Sequence, residues 1–248
     1  MPDRLTWLGH ATVLVELGGV RLLTDPVLRG RVAHLRRHAP PVPAPRDVDA
    51  VLLSHAHRDH LDLPTLRALE PRPPLIVAPR GVGRTLRRLT GAEVRELEPG
   101  EATAVGPVRV EATPAVHRVR RSPLGPASGA VGFVAEHDGR RVYFAGDTEV
   151  FPQMKALRPL DAALLPIWGW GPSLGPGHMD PDEAAAAVAL LAPDLAVPIH
   201  WGTLLPVGAE RRHGHLLRDP VDAFVQATTR RRPETRVVVL APGEAVAL

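Results

Sequence analysis

The chain has 248 residues, 44% of them hydrophobic, a size and composition that suit one α/β domain with a single core. It contains no cysteine, so disulfides, thiolate metal sites and cysteine nucleophiles are excluded, and any metal must be held by imidazole and carboxylate. The formal charge is only +3; the pI of about 10.3 arises because one lysine and one tyrosine leave little to titrate below arginine, so it argues for no nucleic-acid partner.

Taken in chain order, Met1-Pro2-Asp3-Arg4 runs directly into the apolar alternation of Leu5, Trp7 and Leu8. No basic segment followed by a long apolar one is visible there, and the longest apolar stretch, 184–192, is too short to cross a bilayer. A cytoplasmic protein is expected. Residues 5–8, 12–17 and 20–24 read as short strands turning at Gly9-His10 and Gly18-Gly19. The Pro/Arg-rich stretch 29–46 has little periodicity and reads as a long loop.

Residues 50–54 form a continuous apolar run, hence a buried strand. Asp62 caps a short helix with Pro64 in its first turn, ending near Glu70. A strand at 75–78 and a helix at 81–89 follow, then strands at 94–97, 108–112, 130–136 and 141–145. Asp138-Gly139 marks a hairpin between the last two. After a strand at 162–166, Asp180, Pro181 and Glu183 supply an N-cap, a first-turn proline and a capping-box glutamate for a helix to Leu191. A strand at 195–199, a helix at 220–229 and a strand at 237–240 complete the chain. Two packed sheets with helices outside, in one domain over residues 1–248, are predicted.

The segment Ser54-His55-Ala56-His57-Arg58-Asp59-His60 places four potential ligands within six residues, directly after a buried strand. His55 and His57 can point one way while Asp59 and His60 turn to an adjacent point, so one strand end can feed two metal positions. Imidazole and carboxylate suit Zn, Mn or Fe. A surface histidine cluster is the plainer alternative, and the density of ligands after an apolar strand argues against it.

At this point the chain resembles the metallo-β-lactamase superfamily, whose hallmark is His-x-His-x-Asp-His. The rest of that pattern follows in order: His117 after a strand, Asp147 in Ala145-Gly146-Asp147-Thr148, and His200 in Pro198-Ile199-His200-Trp201. The resemblance implies a four-layer αββα fold and two divalent metal ions, zinc first, with manganese or iron possible. It implies His55, His57 and His117 on the first ion, Asp59, His60 and His200 on the second, and Asp147 bridging. Further stretches resemble one branch: Trp7-Leu8-Gly9-His10-Ala11-Thr12, Thr24-Asp25-Pro26, Asp59-His60-Leu61-Asp62, His178-Met179-Asp180-Pro181-Asp182-Glu183-Ala184 and His200-Trp201-Gly202-Thr203. That branch includes the L-ascorbate-6-phosphate lactonases and the N-acyl-phosphatidylethanolamine-hydrolysing phospholipases D. Residues 168–177 differ from both, so neither substrate carries over with the fold.

A metal-activated water attacking an ester-type bond, phosphodiester or lactone, in a small anionic substrate is therefore expected, with Asp59 or Asp147 orienting the water and taking its proton. His178, two residues before a helix cap, is placed on the substrate side as an anion binder or proton donor. His10, Trp168 and Trp170 are candidate substrate contacts, although a structural turn for His10 and core packing for the tryptophans, including Trp201, explain them as well. Asp25 suits the remaining N–H of a ligand histidine, or simply opens a turn before Pro26. Arg118, Arg120 and Arg121 follow His117 closely and could meet an anionic substrate, although a solvated loop face is the plainer reading. A nuclease of the superfamily would need an inserted domain or arm, for which the 52 residues between Asp147 and His200 leave no room. A redox di-iron relative would have glutamate at His57 and a following flavin domain. A non-catalytic metal-binding protein is disfavoured because every ligand is intact.

Overall fold

The computed structural model describes residues 2–117, 119–120 and 127–248; Arg118 and Arg121 lie outside them, and only the backbone of 119–120 and 127–128 is described. Two seven-stranded sheets carry the architecture. In the first, Ala245–Ala247, Arg4–Gly9, Thr12–Leu17 and Val20–Thr24 pair antiparallel, and Ala50–Leu52, Leu75–Pro79 and Glu93–Leu97 continue in parallel. The second repeats that plan. Ala102–Val105, Val108–Pro114, Val131–His137 and Arg140–Phe144 pair antiparallel, and Ala162–Pro166, Leu195–Ile199 and Arg236–Val237 continue in parallel.

Side-chain alternation decides how the sheets face each other. Leu5, Trp7, Val13, Val15, Leu22 and Leu52 of the first sheet meet Val110, Phe133, Phe144, Leu164 and Val197 of the second in one buried cluster. The opposite faces carry helices. Pro181–Leu191 and Asp219–Arg231 bury Ala184, Val188, Leu191 and Phe224 against Tyr143, Ala163 and Leu165. Leu63–Ala68 and Gly83–Thr90 bury Leu66 and Leu86 against Val51, Leu53 and Ile76. The layers run αββα, as expected. Parallel strands are apolar on both faces because helices and the facing sheet cover both sides.

The predicted Asp180 capping box is present with both reciprocal hydrogen bonds, and Asp62 caps its helix through the Thr65 N–H. Asp138 (φ 47°) and Gly139 (φ 78°) both take the left-handed region of a tight hairpin. The loop at 29–46 is a correction: Arg31–Val32 and Leu35–Arg37 form a hairpin there, and Leu35–Arg37 pairs with Leu204–Pro206. Two further strands, Ala102–Val105 and Ala245–Ala247, carry no marked alternation, and the strand expected at 237–240 is only Arg236–Val237. Among the described residues no helix is long and apolar enough to cross a membrane.

Candidate metal centre

The site gathers where strands of both sheets end, the usual place for ligands in parallel α/β sheets. Beyond Ala50–Leu52 the chain turns tightly, with the His60 and Leu61 N–H groups donating to the His57 carbonyl at 3.1 and 2.7 Å. That turn brings the His60 ring beside that of His55, centroids 4.0 Å apart, and points Asp59 towards His10. Gly146 (φ 60°) delivers Asp147 from the end of Arg140–Phe144; a Cβ there would sit 2.6 Å from Ser54 Cβ. His200 follows Leu195–Ile199 at φ 62°, its N–H donating to the His10 carbonyl at 2.9 Å. His10 (φ 52°) and Asp25 (φ 30°) are also left-handed, so three non-glycine residues in that strained region border one site.

Two trios of donor atoms result. His55 Nε2 lies 3.0 Å from His57 Nδ1, which lies 3.2 Å from His117 Nε2. His60 Nε2 lies 3.1 Å from His200 Nε2, and Asp59 Oδ2 stands 3.7 and 3.8 Å from these two nitrogens. Asp147 lies between the trios. Its Oδ2 is 3.2 Å from His60 Nε2 and 3.8 Å from His55 Nε2, and its Oδ1 is 3.3 Å from His200 Nε2. That Oδ1 is buried and has no hydrogen-bond partner among the described residues. His10 Nε2 also approaches Asp59 Oδ2, at 3.2 Å.

The far nitrogens of four of the five candidate rings are tethered. His60 Nδ1–H donates to Asp25 Oδ2 at 2.7 Å, His117 Nδ1–H to the Gly177 carbonyl at 2.8 Å, and His200 Nδ1–H to the Trp168 carbonyl at 2.8 Å. His55 Nδ1–H donates to Ser54 Oγ at 2.9 Å, and Ser54 donates in turn to Asp25 through both its N–H and its hydroxyl. Each tether fixes a tautomer that leaves the inner nitrogen's lone pair facing its neighbours. Bare lone pairs so placed repel one another, and a cation among them removes the conflict.

Electrostatics favours the same occupant. Burial pushes His55 well down and His200 down to about 3, and it lowers His117 to about 4, so these imidazoles are neutral at pH 7. Burial raises Asp59 and Asp147, but His60, His10 and His200 around the first, and His200, His60 and His178 around the second, outweigh it and hold both well below their usual range. Neutral imidazole and ionised carboxylate are the forms that ligate. His60, buried beside Asp147, Asp59 and Asp25, is instead held well above its usual value: the field at this point calls for positive charge. The donor set, its charge and the orphaned Asp147 oxygen all fit divalent cations.

The structure thus brings together all seven residues singled out as ligands. His178 Nε2 stands 3.3 Å from Asp147 Oδ2, with Nδ1–H donating to the Gly175 carbonyl at 3.1 Å. His57, Arg58, Asp59, Asp147, Trp170 and His178 line a cleft of about 250 Å³. Trp170 Nε1–H donates to Asp59 Oδ2 at 3.1 Å, whereas Trp168 contributes its carbonyl. Trp201 stacks on Trp7, ring centroids 5.4 Å apart, and belongs to the core edge. Sequence reasoning did not single out Ser54 or Arg58: an ordinary serine and a residue between motif positions carry no pattern of their own.

Comparison with known proteins agrees with this geometry. The family described as Beta-lactamase superfamily domain matches residues 20–201. A UPF0173 metal-dependent hydrolase from Opitutus terrae is 33% identical over 98% of this chain and 99% of its own. A Mycobacterium tuberculosis protein is 36% identical over 98% of this chain and 68% of its own. Among solved structures, a metallo hydrolase from Ignicoccus hospitalis shares the fold, with a TM-score of 0.73 at 23% identity, covering 100% of this chain and 99% of that one. The chain belongs to the UPF0173 metal-dependent hydrolases of the metallo-β-lactamase superfamily.

Proposed function

We propose that this hydrolase uses two divalent metal ions to cleave an ester-type bond, phosphodiester or lactone, in a small anionic substrate. His55, His57 and His117 would hold one ion, Asp59, His60 and His200 the other, and Asp147 would stand between them. The observation that carries this reading is the position of Asp147 between two donor trios: its Oδ2 faces His55 of one and His60 of the other, and its Oδ1, beside His200, has no hydrogen-bond partner among the described residues. Zinc is the first metal to test, and manganese and iron suit the same donors. When bound, such a pair supplies Lewis acidity and lowers the pKa of a water towards 7.

The protein's own groups supply the rest. Asp59, steadied by the His10 and Trp170 N–H groups, orients the attacking water and, with Asp147, takes its proton. The water oxygen bonds to the carbonyl carbon or phosphorus as that atom's bond to the leaving oxygen breaks. His178 Nε2, opening on the cleft, donates a proton to the leaving oxygen. A cleft of about 250 Å³ suits a small molecule better than a polymer. The stretches shared with the lactonase and phospholipase D branch support both bond types, and the divergent 168–177 segment beside the cleft argues for a substrate of its own.

The test is side-by-side hydrolysis of bis(p-nitrophenyl) phosphate and a set of lactones by protein loaded separately with Zn and Mn. Turnover of one class, reduced at least a thousandfold in His57→Ala, is the expected result. No turnover of either class, with two metal equivalents per chain measured by mass spectrometry, overturns it.

A further inference from the structure

A second cavity of about 250 Å³ adjoins the reaction cleft. Val32, His34 and Leu35 of the hairpin at 31–37 form its outer wall, and Arg58, Asp59 and Trp170 are common to both cavities. The Trp170 ring stands as the partition, with its N–H on Asp59 and the His34 ring edge-on to it, centroids 5.0 Å apart. Arg58 is exposed at the junction. Its neighbour Asp59 is directed at His10 and Trp170 instead, and Arg58 enters no ion pair or side-chain hydrogen bond among the described residues. An unpaired guanidinium at the seam of two cavities is a receptor for an oxyanion such as a carboxylate or phosphate.

We propose that Arg58 and the cavity under the 31–37 hairpin form a compartment for a carboxylate or phosphate that the substrate carries beyond its scissile bond. The carbon skeleton then lies against Trp170, with the bond to be cleaved on the His178 side of the partition. This rests on the hydrolase reading above and adds where the substrate's distal charge is held.

The test pairs 3-carboxypropyl p-nitrophenyl phosphate with its uncharged analogue, butyl p-nitrophenyl phosphate. The wild-type preference for the carboxylated ester, as a ratio of kcat/KM, falls about tenfold in Arg58→Gln, chiefly through KM, and further in Arg58→Glu. Metal content is measured alongside and stays at the wild-type level. A binding readout is independent of turnover: glutarate quenches tryptophan fluorescence in the wild type, with the Trp170→Phe variant identifying the signal, and does so at least tenfold more weakly in Arg58→Gln. If neither ester is hydrolysed but glutarate binding depends on Arg58, the compartment stands and the bond assignment fails. A preference within twofold of wild type in both variants, or equal glutarate binding by wild type and Arg58→Gln, overturns the proposal.

Discussion

Asp25 touches no substrate-facing atom, yet its carboxylate takes three donors: the Ser54 N–H, the Ser54 hydroxyl and His60 Nδ1–H. Asparagine at this position keeps the volume and tolerates the left-handed backbone, but presents an N–H₂ where His60 needs an acceptor. His60 then shifts its proton to Nε2, the atom that faces His200 and Asp147. Asp25→Asn is expected to leave the fold intact and to weaken the second metal equivalent by about 10–100-fold, measured by zinc titration calorimetry. Unchanged affinity would show that Asp25 does not set the tautomer. Of the seven candidate ligands, His55, His57, Asp59 and His60 were legible from their density after a buried strand, and His117, Asp147 and His200 only through the family resemblance. Their supports were less so. His10 meets Asp59 across 49 residues of sequence and Trp170 meets it across 111, distances at which local periodicity says nothing. Asp25 was legible only as one of two plain alternatives, and its partner His60 decided between them.

The helix Gly83–Thr90 begins without a capping side chain of its own, because Val82 stands at its N-cap. Glu96, on the next strand, fills the gap: its Oε1 accepts the Gly81 and Gly83 N–H groups at 2.7 and 2.9 Å. Burial pushes Glu96 up, but these two N–H groups and Arg87 outweigh it and hold it below its usual 4.5. A carboxylate depressed on folding stabilises the native state above its unfolded pKa, and that contribution is lost as pH falls through the folded value. Glu96→Gln keeps an acceptor and loses the charge. It is expected to cost about 0.5–1 kcal/mol at pH 7 and less as the pH falls through the depressed native value, by urea unfolding across an acid pH series. A gap that does not change with pH would assign the effect to packing. Such a cap, supplied from another element, explains why the predicted start at Gly81 lies two residues early. Elements with their own signals, such as the Asp180 capping box, were read at their true limits. The hairpin at 31–37 and the strand Ala245–Ala247 were not, since each is two or three residues long and exists through a distant partner.

At the scale of the whole molecule, the alternation and apolar runs of the sequence were enough to imply two sheets with helices outside, because each layer must bury one face. What they could not convey is that the sheets meet at their ligand-bearing ends. The turn after Ala50–Leu52 of one sheet gives His55, His57, Asp59 and His60, and the strand ends of the other lead to His117, Asp147 and His200. Cations held there would tie one sheet to the other and offset the mutual repulsion of the buried Asp25 and Asp147 and the half-buried Asp59. A ligand bound only by the folded state adds about 2.7 kcal/mol when present at a hundred times its Kd. For a domain of this size that corresponds to roughly 5–10 °C in Tm. Chelation with EDTA is therefore expected to lower the Tm of the metal-loaded protein by that amount, and re-addition of zinc to restore it. In His57→Ala, which lacks one donor of the first trio, the gap should be smaller, and calorimetry of the two proteins side by side measures it. Identical melting with and without EDTA would mean that the cluster holds no metal in the folded state, and the histidines would then owe their arrangement to the three carboxylates alone.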